Sequence, residues 1–263
     1  DLLRLAHRLL ESGVLRQGSL SKAARGYHLA QGNNERPVTR LAVLPVAAKA
    51  SVEQGLEAAL ESALAHWLYH DEIWLRGNAK AKAEILLAIA RVRHALVLFG
   101  GIVPRKATTH LRALLNDADA VLLAADTADE ALFRTEVVGA KLALTEWLVQ
   151  RGWRSFLNEA GEKKIAGSFK RFADIHLSRV AAELRSAVQH LAVEDAADQL
   201  PKLSRDIDSV QLLAGAYGDA VAPWLENWQE LQRAIEHDDR SVFEYFRRQA
   251  LAAEPFWLHS GKR

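Results

Sequence analysis

The chain has 263 residues, 49% hydrophobic and 25% charged, with a formal net charge of +1, which is length and apolar content enough for a real core. The near-neutral balance excludes a strong global field, so a polyanionic partner has to be read by a local basic face. The absence of cysteine excludes disulfides and thiolate chemistry, and no run approaches the roughly 20 apolar residues of a membrane span.

The opening Asp1-Leu2-Leu3-Arg4-Leu5-Ala6-His7-Arg8 mixes charges into an apolar run, unlike a signal peptide. Leu2, Leu5, Leu9 and Leu10 share one helical stripe, which Gly13 ends. With no methionine and a helix already under way at Asp1, the sequence reads as a piece of a longer chain. A loop and a short second helix follow through Tyr27. Residues 31–39, QGNNERPVT, combine Gly, Asn-Asn and Pro and read as a linker. Leu41 to Pro45 is apolar but broken by proline, hence extended.

From Ser51 the pattern changes. Ser51-Val52-Glu53-Gln54 is a capping-box signature. The helix it opens directs Leu56, Ala59, Leu60, Ala63, Leu64 and Trp67 inward and ends near Gly77. A second spans about 78–99 and is closed by Gly100, Gly101 and Pro104. Further helices are expected at about 105–126, 128–151, 168–190, 199–217, 221–236 and 240–252. Long helices joined by short turns predict an all-α protein of two adjacent helical bundles.

Self-contained catalytic chemistry is absent. There is no GxxxxGK loop and no HExxH. His66 and His70 stand four apart with Asp71 and Glu72 adjoining, a pattern that suits either a metal or a solvated polar edge beside Trp67. The polar edge is the reading taken, so no metal ligand and no catalytic residue is assigned. Glu159, Glu162, Glu194, Asp195 and Asp198 lie at turns and helix starts, where carboxylates serve caps and dipoles. The seven tryptophans are spread along helices as packing groups; only Trp153, near Arg151 and Arg154, approaches a base-stacking arrangement.

Cations recur at helical spacing. Arg91, Arg93 and His94 cluster on one helix. Arg105 and Arg112 share a stripe with Thr109, and Lys106 and His110 lie on the next. Lys170, Arg171, His176 and Arg179 follow one another along a third helix, with Arg205 on a fourth. Guanidinium and ammonium groups from neighbouring helices can converge on a phosphate chain. Singly, each also reads as part of a solvated face, partly paired with Glu136, Asp174, Glu183 and Asp206.

The run from Gly13 to Leu29 resembles the closing segment of a CYTH domain. The rest is similar to the C-terminal CHAD half of bacterial CYTH–CHAD inorganic triphosphatases, through RHALVLFGGIVPRK (93–106), AKLALTEWLV (140–149), SFKRFADIHLSR (168–179), QLPKLSRDIDSVQLLAG (199–215) and EPFWLHSGKR (254–263). The resemblance implies a CYTH remnant over 1–30, a linker over 31–50 and a CHAD domain over 51–263. It implies a cytoplasmic parent that hydrolyses triphosphate with Mg or Mn held in the catalytic half, and a chain that is inactive and cofactor-free alone.

The partners so implied are inorganic polyphosphate or triphosphate and the CYTH domain of the same parent, with no membrane and no specific nucleic acid. Lys22 and Arg25 match the closing basic motif of the CYTH tunnel, or else cap a helix end. The sequence also departs from the family: the signature histidine of the first half falls on Ala83, and the first arginines on Leu86 and Ala90, so only Arg91 and Arg93 keep the charge. The expected function is a non-catalytic phosphate- or polyphosphate-binding module, with a structural or dimerising scaffold as the alternative.

Overall fold

Side-chain caps set several of the helix starts. Ser51 and Gln54 exchange side-chain bonds with each other's backbone amides at 2.8 and 3.2 Å, the reciprocal cap that the sequence promised. Thr127 and Glu130 form a second such box, and Ser21 and Ser168 cap through their hydroxyls. The computed structural model describes residues 2–11, 15–18, 21–32 and 36–258. Gly13, part of the 31–39 linker and the closing HSGKR lie outside the described residues.

The described residues form twelve α-helices: α1 Leu2–Leu10, α2 Lys22–Ala30, α3 Val52–Leu75, α4 Ala81–Leu98, α5 Arg105–Ala124, α6 Ala128–Leu132, α7 Thr135–Val149, α8 Glu159–Ile165, α9 Phe169–Val188, α10 Ala196–Leu213, α11 Ala222–Glu236 and α12 Arg240–Ala252. Among them there is no strand, only an isolated bridge between Ser51 and Ser168. The protein is all-α. It divides into two compact units, one of residues 1–41 and 59–162, the other of 42–58 and 163–263.

In the first unit, α4 and α5 run antiparallel. Lys82 near the start of α4 donates to the Leu123 and Ala125 carbonyls at the end of α5, while Arg93 further along reaches Asp119 and the Leu115 carbonyl. The Lys82 contact also caps the carbonyl end of α5 with a positive charge. α7 packs on α5, and α1 on α7. Leu56 apart, the apolar stripe expected for α3 (Ala59, Leu60, Ala63, Leu64, Trp67) is buried here.

In the second unit, α9, α10, α11 and α12 pack in succession, with α12 returning to α9. Residues 41–47 before Ser51 are neither helix nor strand, and Leu44 donates its amide to the Gln211 carbonyl at 3.0 Å. Trp224, Trp228, Phe256 and Trp257 form a buried aromatic cluster.

Three boundaries differ from expectation. The helix expected over 128–151 is two, α6 and α7, because the Thr127 box starts a short helix and Arg134 takes up an extended conformation at the N-cap of the next. α8 lies in the stretch read as a turn. α10 begins at Ala196 rather than 199, so Pro201 stands inside the helix; still near the N-terminus, it forfeits one amide bond there without breaking it.

Candidate anion-binding site

The end of α4 and the start of α5 enclose the most suggestive group of cations. Phe99 to Gly101 turn through a short 3-10 segment, and Pro104 leads into α5 without a side-chain cap. Here a cavity of about 380 Å3 is lined by Leu96, Val97, Gly100, Val103, Arg105 and Arg112. The i, i+7 spacing of the two arginines places both at it. Arg112 donates its Nε–H to Thr108 Oγ1 at 3.0 Å, and the Thr108 hydroxyl in turn donates to the Arg105 carbonyl at 3.1 Å. The Arg112 guanidinium is thereby held in place.

Burial, and then the neighbouring charge of Arg105, weaken Arg112's hold on its proton. Among the described residues no carboxylate pairs with either guanidinium. Two cations facing one cavity without a countercharge form an arrangement that an oxyanion relieves. The first-turn amides of α5 add to the positive end of the site.

The other expected cations are placed differently. Lys106, on the adjacent stripe, lies over the Phe156 ring at 5.9 Å, and His110 is exposed. Arg91, expected on a basic face, is fully buried; it sits on the inward stripe of Ala81, Ile85, Ala88, Val92 and Ala95, and the helical period leaves it no route to solvent. Arg93 is tied to Asp119 at 3.0 Å, and His94 is half-buried.

In the second unit, Lys170 pairs with Asp174 and lies over Tyr217, whose hydroxyl donates to Asp174. Arg179 lies 3.7 Å from Glu183, and Arg205 is 3.1 Å from Asp206. These are the neutralising pairs the sequence offered as the plainer reading. His176 packs its ring on Phe172 at 4.1 Å, and burial followed by Arg179's charge lowers its basicity. Arg171 is exposed. In α2, Lys22 is exposed and Arg25 reaches Glu72 at 3.3 Å. Trp153 is fully buried, which removes the base-stacking arrangement considered for it.

Sequence reasoning missed one polar network. His70, Asp71 and Glu72 were expected on a solvated edge, yet all three are buried. Asp71 pairs with Lys141, which is equally buried and 5.7 Å from the Trp67 ring centroid. Glu72 accepts from Arg16 at 2.9 Å as well as from Arg25. The signal was available: Trp67, His70, Asp71 and Trp74 follow the i, i+3, i+4, i+7 rule of an inward stripe, and Lys141 falls between Val137 and Leu144 on the inward stripe of α7.

A family model of the CHAD domain matches residues 58–248. This chain belongs to the CHAD family. The CHAD match begins inside α3, runs through most of α12 and leaves residues 1–57 outside. The structure is similar to the crystal structure of the CHAD domain from the plant Ricinus communis, with a TM-score of 0.57 over 85% of this chain and 89% of that one. At 16% identity the likeness shows the CHAD fold and leaves the ligand to the residues of each protein.

Proposed function

We propose that this CHAD domain is a non-catalytic phosphate-binding module whose ligand is inorganic polyphosphate or triphosphate, taken first by Arg105 and Arg112. The supporting observation is the pair of guanidiniums at an open cavity without a carboxylate partner. Arg105 is exposed and Lys106 and His110 lie on the neighbouring stripe, so a chain of phosphates has further cations along the outside of α5. On this reading the parent is a triphosphatase, residues 1–30 close its CYTH half and 31–50 link to the module.

The Mg or Mn that this parent would use is not one for the described residues of 2–41 to hold. Their one described carboxylate is Glu11, and a hard cation takes several oxygen ligands. No catalytic step is assigned to this chain.

Titration of the full chain with long-chain polyphosphate by calorimetry, at low and high salt, tests the proposal. Binding should weaken with salt, and Arg105→Gln with Arg112→Gln should weaken it by at least about tenfold, since a hydrogen bond to a charged group contributes roughly 1.5–3 kcal/mol. Unchanged affinity in the double variant would sink the assignment.

A second reading, a scaffold that positions the catalytic half, is favoured by the bonds that tie the N-terminal segment to the helices: His7 to Glu146, Gln17 to Thr145, and Arg16 and Arg25 to Glu72. Removing residues 51–263 from the parent should then lower its melting temperature or change its oligomeric state.

A further inference from the structure

The three nitrogen and oxygen donors of His66, His70 and Glu84 are used by nothing described so far. α3 sets the two histidines one turn apart, and α4 brings Glu84 to them. His66 Nε2 and Glu84 Oε2 are 3.0 Å apart, the two imidazole centroids are 4.1 Å apart, and one ligand atom from each residue lies within 4.8 Å of the other two. His70 is fully buried and Glu84 is 8% exposed. Glu84 is a buried carboxylate partnered by His66, and among the described residues no lysine or arginine is paired with it, where buried carboxylates are ordinarily paired with a cation.

The hydrogen bonds of His70 fix its tautomer. Its Nδ1 faces the His66 carbonyl at 2.8 Å and must carry the proton. Its Nε2 faces the Thr39 amide at 3.2 Å and must carry the lone pair. A bond from one ring nitrogen to a backbone carbonyl is the arrangement that orients metal-ligating histidines and frees the other nitrogen for the ion.

We propose that His66, His70 and Glu84 form a divalent-metal site, and that an ion entering it takes His70 Nε2 from the Thr39 amide. Two imidazoles and one carboxylate are a zinc donor set that leaves a fourth position for water. Nitrogen-rich sites suit Zn2+, Co2+ or Ni2+ and not Mg2+. Around a tetrahedral zinc with ligands at about 2.0–2.1 Å the donors stand roughly 3.3 Å apart. The His66–Glu84 pair is already near that spacing, and the three donor atoms, all within 4.8 Å of one another, have at most about 1.5 Å to close. The segment carrying Thr39 is held besides by Tyr69, whose hydroxyl donates to the Pro37 carbonyl at 3.0 Å. Metal binding therefore frees one anchor of this segment and leaves the other.

The test uses the full chain, freed of metal with a chelator and titrated with Co2+ by visible absorption and with Zn2+ and Mg2+ by calorimetry. One Co2+ should produce the intense bands of a low-coordinate nitrogen and oxygen site, and Zn2+ should compete for it where Mg2+ does not. His66→Ala and Glu84→Gln should each weaken binding by at least about tenfold, in line with loss of a ligand. Adventitious binding at other histidines is blind to both changes. The amide of Thr39 should lose hydrogen-exchange protection when Zn2+ is added. No binding at about 100 μM Zn2+, or equal binding by both variants, would overturn the site and leave the three side chains as a hydrogen-bonded polar cluster. Unaltered exchange at Thr39 in the metal-bound protein would overturn the displacement. If Glu84→Gln fails to fold, the partly exposed His66→Ala decides the matter alone.

Discussion

Lys141 and Asp71 meet with no solvent contact on either side chain. Burial pushes the Asp71 carboxyl up, and the lysine's charge and hydrogen bond pull it back. Asp71 Oδ1 has no hydrogen-bond partner among the described residues, so the pair is only partly satisfied. The desolvation cost of such a pair can match its Coulomb gain, while removal of one member strands the other. Lys141→Met should accordingly destabilise the protein by about 3–5 kcal/mol, and Asp71→Leu with Lys141→Met should restore most of that loss. Urea unfolding of the single and double variants measures both; equal losses in the two would mean that the ion pair contributes more than its desolvation removes. Gly215 is a different residue-scale constraint. A Cβ there would stand 1.7 Å from the Leu44 carbonyl oxygen, and backbone cannot give way as a side chain can. Gly215→Ala is expected to cost roughly 3 kcal/mol or more, read from the same denaturation curves.

Helix ends carry much of the information at the scale of elements. Arg247 of α12 donates to the Val188 and Gln189 carbonyls at the end of α9, a basic cap on the negative end of that helix. Glu244 orients it and also accepts from Arg248. These bonds hold the Glu244 carboxyl at about 2, below its ordinary 4.5. A depressed carboxylate stabilises the fold above its unfolded value and loses that contribution as pH falls. The difference in urea midpoint between the parent chain and Glu244→Gln should therefore be constant above about pH 5 and shrink from pH 4.5 towards 2. A difference that does not change with pH would detach Glu244 from the acid limb. The same scale explains the unexpected boundaries. Inward periodicity continues across Phe133 and Arg134, so the break between α6 and α7 is invisible to it; the Thr127–Glu130 box marks a start but not how soon the helix stops.

For the molecule as a whole, the net charge of +1 makes long-range steering weak, so any polyanion must be bound by local contacts. The salt dependence of polyphosphate binding should consequently be shallow and should flatten further when Arg105 and Arg112 are replaced together, by the counterion logic of other polyanions. A steep dependence that survives the replacement would place the ligand on other cations, with Lys22, Lys106, His110 and Arg171 among the exposed candidates.

The sequence by itself determined most of the helices, the capping box at Ser51 and the pairing partners of Lys170, Arg179 and Arg205, because periodicity, caps and i, i+4 pairs act within a few residues along the chain. It also carried the resemblance to a CHAD domain, the part that the family match bears out. Which cations stay available was decided only by tertiary structure. Arg91 and Arg93 look alike in sequence, yet one is enclosed and the other is tied to Asp119, while Arg105 and Arg112 keep a cavity between them. Likewise His66 and His70 gain a carboxylate only when α4 folds against α3. Charge and burial depend on what a second helix brings, and that contact lies beyond the reach of local pattern.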